Sequence, residues 1–377
     1  MLRIVVGIWL PVIVLAVLPA GGDADTRDLF KAITGPCHLR FPEDHGPHCD
    51  YRTEWWYYTG NVESSGGRSY AYQLTIFRYQ TSPTGETAQW PDPASAWRTN
   101  QFYVLHAAVS DIQGNVHLQA EAAARGALAL AGAQYRQERT TIFVKSASIE
   151  IGPSGHKLQA VAPDFSFSLE LEPLKPPVRH GREGYTRKGT APKNASCYYS
   201  FTRMLTNGTL SIDGKKMAVT GLSWMDHEFS TAPLQSDLVG WDWFSLQFDN
   251  HSELMLYFLR YADGRYHPVS AGTLVDPLGN AVSLTYADVQ IKALQTWYSP
   301  YSKAAYPSAW QLSVPKLGMQ INIHAQMANQ EMRTYRTTGV IYWEGSVTVQ
   351  GQSNGQAVKG KGYVELTGYA APFRAPL

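Results

Sequence analysis

Charge is scarce in this sequence. Asp, Glu, Lys and Arg make up 17% of its 377 residues and nearly cancel to a formal +1. There is no long basic run, so neither nucleic acid nor an acidic partner is expected. No Gly-x-Ser-x-Gly elbow is present, which argues against serine hydrolysis. Zinc and EF-hand spacings are missing too; His45-x-x-His48, near Asp44 and Cys49, is broken into a turn by Gly46 and Pro47. No metal and no cofactor are expected. The apolar run Ile4–Leu18 falls short of the roughly 20 residues of a membrane-spanning helix. With Arg3 before it and Ala20 and Ala24 after it, residues 1–24 read as a signal peptide, an uncleaved anchor being the alternative. The mature protein is then expected to be secreted or periplasmic, and membrane association stays open.

Cysteine is scarcest of all, at three residues. Cys37 and Cys49 are close enough in sequence to bridge, leaving Cys197 as a buried small hydrophobe.

Aromatic residues, by contrast, are plentiful: 22 Tyr, 11 Trp and 13 Phe. With so little charge, that suits a sheet-rich protein with aromatic interiors. The densest stretch is Phe41–Gly60, FPEDHGPHCDYRTEWWYYTG. In an extended chain Arg52, Glu54, Trp56 and Tyr58 share one face. A carboxylate and a guanidinium among large rings make either a buried ion pair at a barrel mouth or a ligand pocket.

Further along, Tyr70–Gln80 alternates, with Tyr70, Tyr72, Leu74, Ile76 and Arg78 on one face. Phe102–Ser110 is a second strand and carries His106. Ser211–Met225 is a hairpin on an Asp213-Gly214 turn, and Leu222, Trp224 and Asp226 share a face of its second strand. Thr81–Asn100 reads as a loop long enough to be a lid, Glu121–Leu130 as a helix-like patch, and Pro173–Asn194 as a surface excursion.

The second half repeats the first. Aligning the run from Trp55 with that from Trp241 places Leu74, Ile76 and Arg78 on Leu256, Phe258 and Arg260. VTGLSWMDH from Val219 likewise matches VKGKGYVEL from Val358, with Glu365 answering Asp226. Duplicated β units follow. The fold class is all-β: two lipocalin-like antiparallel barrels in tandem, at 38–230 and 236–372, each with an interior able to hold an apolar ligand.

FPEDHG, YRTEWWYYTG, the His106 strand and GLSWMDHEFS resemble the AttH-like, carotenoid 1,2-hydratase-related proteins. The resemblance runs from about Phe41 to Tyr369. It implies two lipocalin-like domains, a site near their junction, and either cofactor-free hydration of an isoprenoid-like double bond or the hydrolase activity that the family is labelled with. The partner is then an apolar small molecule.

Asp226 is the first candidate acid. Beside Trp224 its carboxyl would be pushed up by desolvation, and a neutral carboxylic acid is what alkene protonation needs. Trp224, Trp241 and Trp243 could stabilise the cation. The alternative is a structural Asp paired with Arg52 or Arg78. His106 is a satisfied core histidine or, as the resemblance implies, a base that activates water. Glu54 either orients His106 or donates the proton itself. Glu228 shares the face of Asp226, as an acid/base partner or as part of a salt-bridge network with His227 nearby. Trp56, Tyr58, Trp224, Glu228, Trp241 and Trp243 complete the expected ligand wall, around a cavity on which Glu54, His106 and Asp226 converge. A carrier that binds the ligand unchanged is the alternative to an enzyme.

Overall fold

A computed structural model of the chain describes residues 30–83, 95–232 and 234–374. Strands dominate. The first four are β1 Thr53–Ser64, β2 Ser69–Gln80, β3 Gln101–Asp111 and β4 Val116–Arg125. Next come β5 Ala131–Arg136, β6 Arg139–Val144, β7 Ala147–Gly152, β8 Gly155–Val161 and β9 Phe165–Pro173. Two short strands, β10 Val178–Arg179 and β11 Tyr185–Arg187, precede the long hairpin β12 Ala195–Ile212 and β13 Lys215–Ser230. Its turn is tight because Asp213 and Gly214 both take positive φ, 48° and 76°.

Together these strands form one antiparallel sheet ordered β4-β3-β2-β1-β13-β12-β9-β8-β7-β6-β5, with β10 and β11 added along β12. The sheet curls until its two ends share a core, in which Leu105 of β3 and Ile142 of β6 belong to one buried cluster with Trp56 and Tyr58.

The second sheet holds β14 Leu238–Phe248, β15 Glu253–Tyr261, β16 Ala271–Val275, β17 Ala281–Thr285, β18 Gln290–Tyr298 and β19 Ala305–Val314. It continues with β20 Met319–Ala325, β21 Glu331–Arg333, β22 Ile341–Ser353 and β23 Gln356–Thr367. Its order is β17-β16-β15-β14-β23-β22-β20-β19-β18, again antiparallel and barrel-like, with β21 beside β22.

The central four strands of the two sheets correspond. Tyr57 pairs with Thr75 and Asp226 in the first; Trp243 pairs with Tyr257 and Glu365 in the second. That is the register the sequence repeat requires, with Asp226 and Glu365 equivalent. A third buried cluster lies between the barrels, built from Tyr57, Tyr198, Trp224, Trp243, Tyr257 and Tyr363. Glu253 of β15 is the polar rivet at one edge, where Lys175 Nζ lies 2.7 Å and Arg203 Nε 2.5 Å from its carboxylate.

Three local expectations change. In the expected helix-like patch Glu121–Leu130, residues 121–125 are strand and 126–130 a turn, because pairing along β3 overrides the helix propensity of the alanines. The Pro173–Asn194 excursion is tied to β12 by β10 and β11, and it buries Lys175, Val178 and His180. The disulfide joins Cys37 to Cys197, stapling the segment before β1 to β12; Cys49 instead accepts a contact from Gln101 Nε2 at 3.4 Å. Sequence proximity favoured the wrong pair because folding, not loop length, brings Cα atoms within bridging distance, here 5.8 Å. Residues 84–94, the middle of the expected lid, lie outside the described residues, as do residues 1–24.

Candidate active site

A cavity of about 410 Å³ opens between the barrels, not inside either one. Its geometry follows from strand register. In the first sheet Ser200, Asp226, Tyr57, Thr75 and His106 form one rung across β12, β13, β1, β2 and β3. Side chains on a rung share a face, and this one faces away from the first barrel's core. In the second sheet Tyr257, Trp243, Glu365 and Glu344 form the matching rung across β15, β14, β23 and β22. The rungs face each other, and Trp55, Phe77, Tyr79, Trp241 and Phe373 fill in the apolar wall.

Asp226 is buried but richly served. Its Oδ1 accepts from Trp224 Nε1 at 2.6 Å and from the Ser200 hydroxyl, and its Oδ2 accepts from Tyr198 Oη at 2.6 Å. Each donor has support behind it. Tyr198 Oη receives Trp243 Nε1 at 3.0 Å, so its own proton is committed to Asp226. Ser200 Oγ lies 2.7 Å from His180 Nε2, whose Nδ1 lies 2.9 Å from Thr273 Oγ1. Because Ser200 has one proton and gives it to Asp226, His180 must donate from Nε2 and accept from Thr273 at Nδ1. A hydroxyl of the second barrel thus fixes a tautomer in the first. Burial still outweighs these donors and, with Glu228 adding repulsion, pushes the Asp226 carboxyl up to about 7.

The other acids meet different conditions. Glu228 is ion-paired with Lys188 Nζ at 2.8 Å, and that ammonium also sits 4.6 Å from the Tyr257 ring centroid. Glu365 accepts from Trp241 Nε1 at 3.1 Å and Thr367 Oγ1 at 2.9 Å, and burial pushes it up to about 7. Glu344 stands directly opposite it; burial, then the Glu365 charge, hold Glu344 well above the usual carboxylate range.

His106 lines the cavity, but both ring nitrogens are engaged. Thr337 gives its proton to Glu121 at 2.6 Å, so His106 Nε2 donates to Thr337 across 3.2 Å. Nδ1 is then the acceptor, and Tyr342 Oη donates to it at 2.9 Å. Burial pushes this imidazole down to about 3. It is a neutral group orienting Tyr342 rather than a base open to water.

Glu54 does not reach the cavity. One residue of alternation turns it inward with Trp56 and Tyr58, and all three lie in the core of the first barrel. There its Oε1 accepts from His48 Nδ1 at 2.7 Å and His227 Nε2 at 2.8 Å, while Oε2 accepts from Arg78 Nε at 2.8 Å. Burial opposes ionisation, yet Arg78 and the two imidazoles hold the carboxyl well below its ordinary range. His48, Glu54 and His227 bring three ligand-type atoms within 4.8 Å of one another. Both Glu54 oxygens are already taken, and a metal cation there would sit beside the Arg78 guanidinium. The arrangement fits a closed ion cluster better than a metal centre.

The structure therefore unites Asp226, His106, Glu228, Trp241 and Trp243 around one cavity. Trp224 reaches it only through its bond to Asp226, and Glu54, Trp56 and Tyr58 stay apart from it. Sequence reasoning missed Tyr57, His180, Lys188, Tyr198, Tyr342 and Glu344 at this site. For Tyr198 and Glu344 a signal existed, since each stands on a strand that pairs with an Asp226-type strand.

Comparison with known proteins places the chain. An AttH-like family model matches residues 32–369. A solved AttH structure from Nitrosomonas europaea is 30% identical, covers 90% of this chain and all of its own, and superposes with a TM-score of 0.79. Kievitone hydratase from Nectria haematococca shares the fold at 14% identity, covering 91% of this chain and 98% of its own, with a TM-score of 0.63. Dehydratase asqC of Emericella nidulans is 22% identical over 222 residues, 56% of this chain and 60% of the relative, so the match spans about three-fifths of that protein. The chain belongs to the AttH-like family.

Proposed function

We propose that this protein is a cofactor-free hydratase or dehydratase acting on a largely apolar small molecule in the cavity between its barrels. One observation carries the reading: a buried carboxyl poised near neutrality faces an aromatic cavity and is held there by three donors. A mere carrier gains nothing from such a group. In hydration, protonated Asp226 gives its proton to one alkene carbon and becomes the carboxylate its donors stabilise. The carbocation on the neighbouring carbon is stabilised by the faces of Trp55, Tyr57, Trp241 and Trp243. Water adds to it, and the proton it sheds passes to a cavity carboxylate. Dehydration runs the same steps in reverse. A fold-level relative named as a hydratase and a partial relative named as a dehydratase support this direction.

Export from the cytoplasm is part of the proposal, supported by the apolar N-terminal run and by the Cys37–Cys197 disulfide.

The test is incorporation of oxygen from ¹⁸O-labelled water into a panel of isoprenoid and phenolic alkenes. Asp226→Asn keeps the size and much of the hydrogen bonding but lacks the proton. Turnover should fall roughly 10² to 10⁴-fold, the usual contribution of general acid catalysis. Undiminished turnover in this variant would remove Asp226 as the acid.

A further inference from the structure

The two rungs differ at one matched position. Opposite Asp226 stands Ser200, which donates to it. Opposite Glu365 stands another acid, Glu344. Cross-strand neighbours have Cβ atoms roughly 4.5–5.5 Å apart, too close for two unsolvated anions. The donors are also unevenly shared. Glu365 holds Trp241 Nε1 and Thr367 Oγ1, whereas Glu344 Oε1 is buried with no well-formed hydrogen bond among the described residues. Tyr342, its neighbour on β22, has already given its proton to His106. Tyr57 Oη, from β1, is likewise buried without a well-formed hydrogen bond among the described residues, although it lies near enough to the Glu344 carboxyl to interact with it.

The groups facing this pair from the surrounding elements are Asp226 and Glu228 of β13, Tyr57 of β1, Trp241 and Trp243 of β14, His106 of β3, Lys188 after β11, and Arg52 at the cavity wall. Lys188 offsets Glu365 slightly, but it is already ion-paired with Glu228.

We infer that Glu344 and Glu365 share one proton and form a polar anchor, with Tyr57, for the hydroxyl group of an otherwise apolar ligand. Glu365 is the anion its donors favour, and Glu344 carries the proton. Glu344 Oε1 and Tyr57 Oη are the atoms a ligand hydroxyl satisfies, as donor to one and acceptor from the other. The ligand is then an amphiphile: a terpenoid or aromatic body, bound by the aromatic wall, with an alcohol, phenol or enol at one end. This rests on the preceding reading that the cavity takes an apolar small molecule, and it specifies that molecule's polar end.

Two measurements test it. In an Asp226→Asn background, infrared difference spectra taken well above pH 7, where Glu365 alone would be ionised, should show a protonated carboxylic C=O band that vanishes when Glu344→Gln is added. Retention of the band, or its absence throughout, overturns the shared proton. Separately, equilibrium dialysis compares naphthol with naphthalene. Glu344→Leu should weaken naphthol about tenfold, the scale of one lost buried hydrogen bond, and leave naphthalene within about twofold. Equal losses for both probes overturn the anchor. Wild-type protein that binds neither probe overturns the cavity reading and the ligand half of this inference, while the infrared result still decides the proton. Leucine suits the test because a buried acid is replaced by an apolar group of similar size.

Discussion

On the inner face of the β1–β13 pair, Glu54 accepts from Arg78, His48 and His227. On the outer face of the same two strands, Asp226 accepts only from neutral donors, Tyr198, Ser200 and Trp224. Both carboxyls are fully buried, so solvent does not distinguish them; the charge of their partners does. A guanidinium fixes Glu54 as an anion that no substrate could use as an acid. Hydroxyls and an indole leave Asp226 divided between two protonation states near pH 7. One sheet thus holds a structural acid and a chemical acid back to back. Their pH signatures are opposite. Glu54 lies below its unfolded value, so its stabilisation is present above that value and is lost as pH falls. Asp226 lies above its unfolded value of 3.8, so stability falls as pH rises from there toward about 7.

The largest expected effect comes from breaking the inner face. Arg78→Leu strands a buried carboxylate, a change that usually costs about 3–5 kcal/mol. Chemical denaturation should register that loss, and the variant should recover part of it in acid as Glu54 is protonated. A loss under about 1 kcal/mol, the range of an exposed pair, would mean that Arg78 and Glu54 do not form a buried ion pair. Glu54→Gln should be milder, since Arg78 keeps backbone partners in His48 and Tyr51.

The outer face gives the next effect, and it concerns slope rather than level. Each unit of pKa displacement corresponds to roughly 1.4 kcal/mol. Carrying Asp226 from 3.8 to about 7 therefore costs a few kcal/mol of stability by neutral pH. Asp226→Asn cannot ionise, so its stability should fall less than wild type between pH 4 and 7. Parallel melting-temperature curves for the two proteins would show that Asp226 titrates at its ordinary value. Glu365, Glu344 and Asp242 are displaced in the same direction and should add to the residual slope in the variant, while the buried histidines His45, His106, His156 and His180, held below their ordinary value, oppose it.

Much of this division was legible in the sequence, but not which face did which job. Period-two alternation correctly put Glu54 with Trp56 and Tyr58, and Asp226 with Trp224 and Glu228. The repeat correctly matched Asp226 to Glu365. What alternation does not contain is the pairing of β1 with β13: Tyr57, not Trp56, lies opposite Asp226. A one-residue slip exchanges the two faces, so grouping Glu54 and Asp226 around one cavity amounted to an unstated choice of register. Nor could local pattern reveal that two barrels press their outer faces together, which is what makes a cavity where an isolated barrel would show solvent. His180 and Lys188 were hidden for another reason. They lie in a Pro-rich stretch that looks like surface until β12 recruits it.

The smallest effect tests the link between the barrels. Thr273 of β16 donates to His180 Nδ1, which obliges Nε2 to donate to Ser200 and Ser200 to donate to Asp226. Thr273→Val keeps the shape and removes the first donor. The imidazole is then free to place its proton on Nδ1 and accept from Ser200, which takes the Ser200 proton away from Asp226. Stability should drop by about 1 kcal/mol, the ordinary worth of one hydrogen bond. The informative readout is the pH profile of turnover. Losing a donor to its anionic form raises a carboxyl's pKa, and a general acid works only while protonated. The high-pH limb of the profile should therefore move upward by a fraction of a unit, and Ser200→Ala should move it in the same direction. A stability loss with an unmoved limb would confine Thr273 to packing. An upward shift in both variants would show that a hydroxyl on one barrel sets the working pH of an acid on the other.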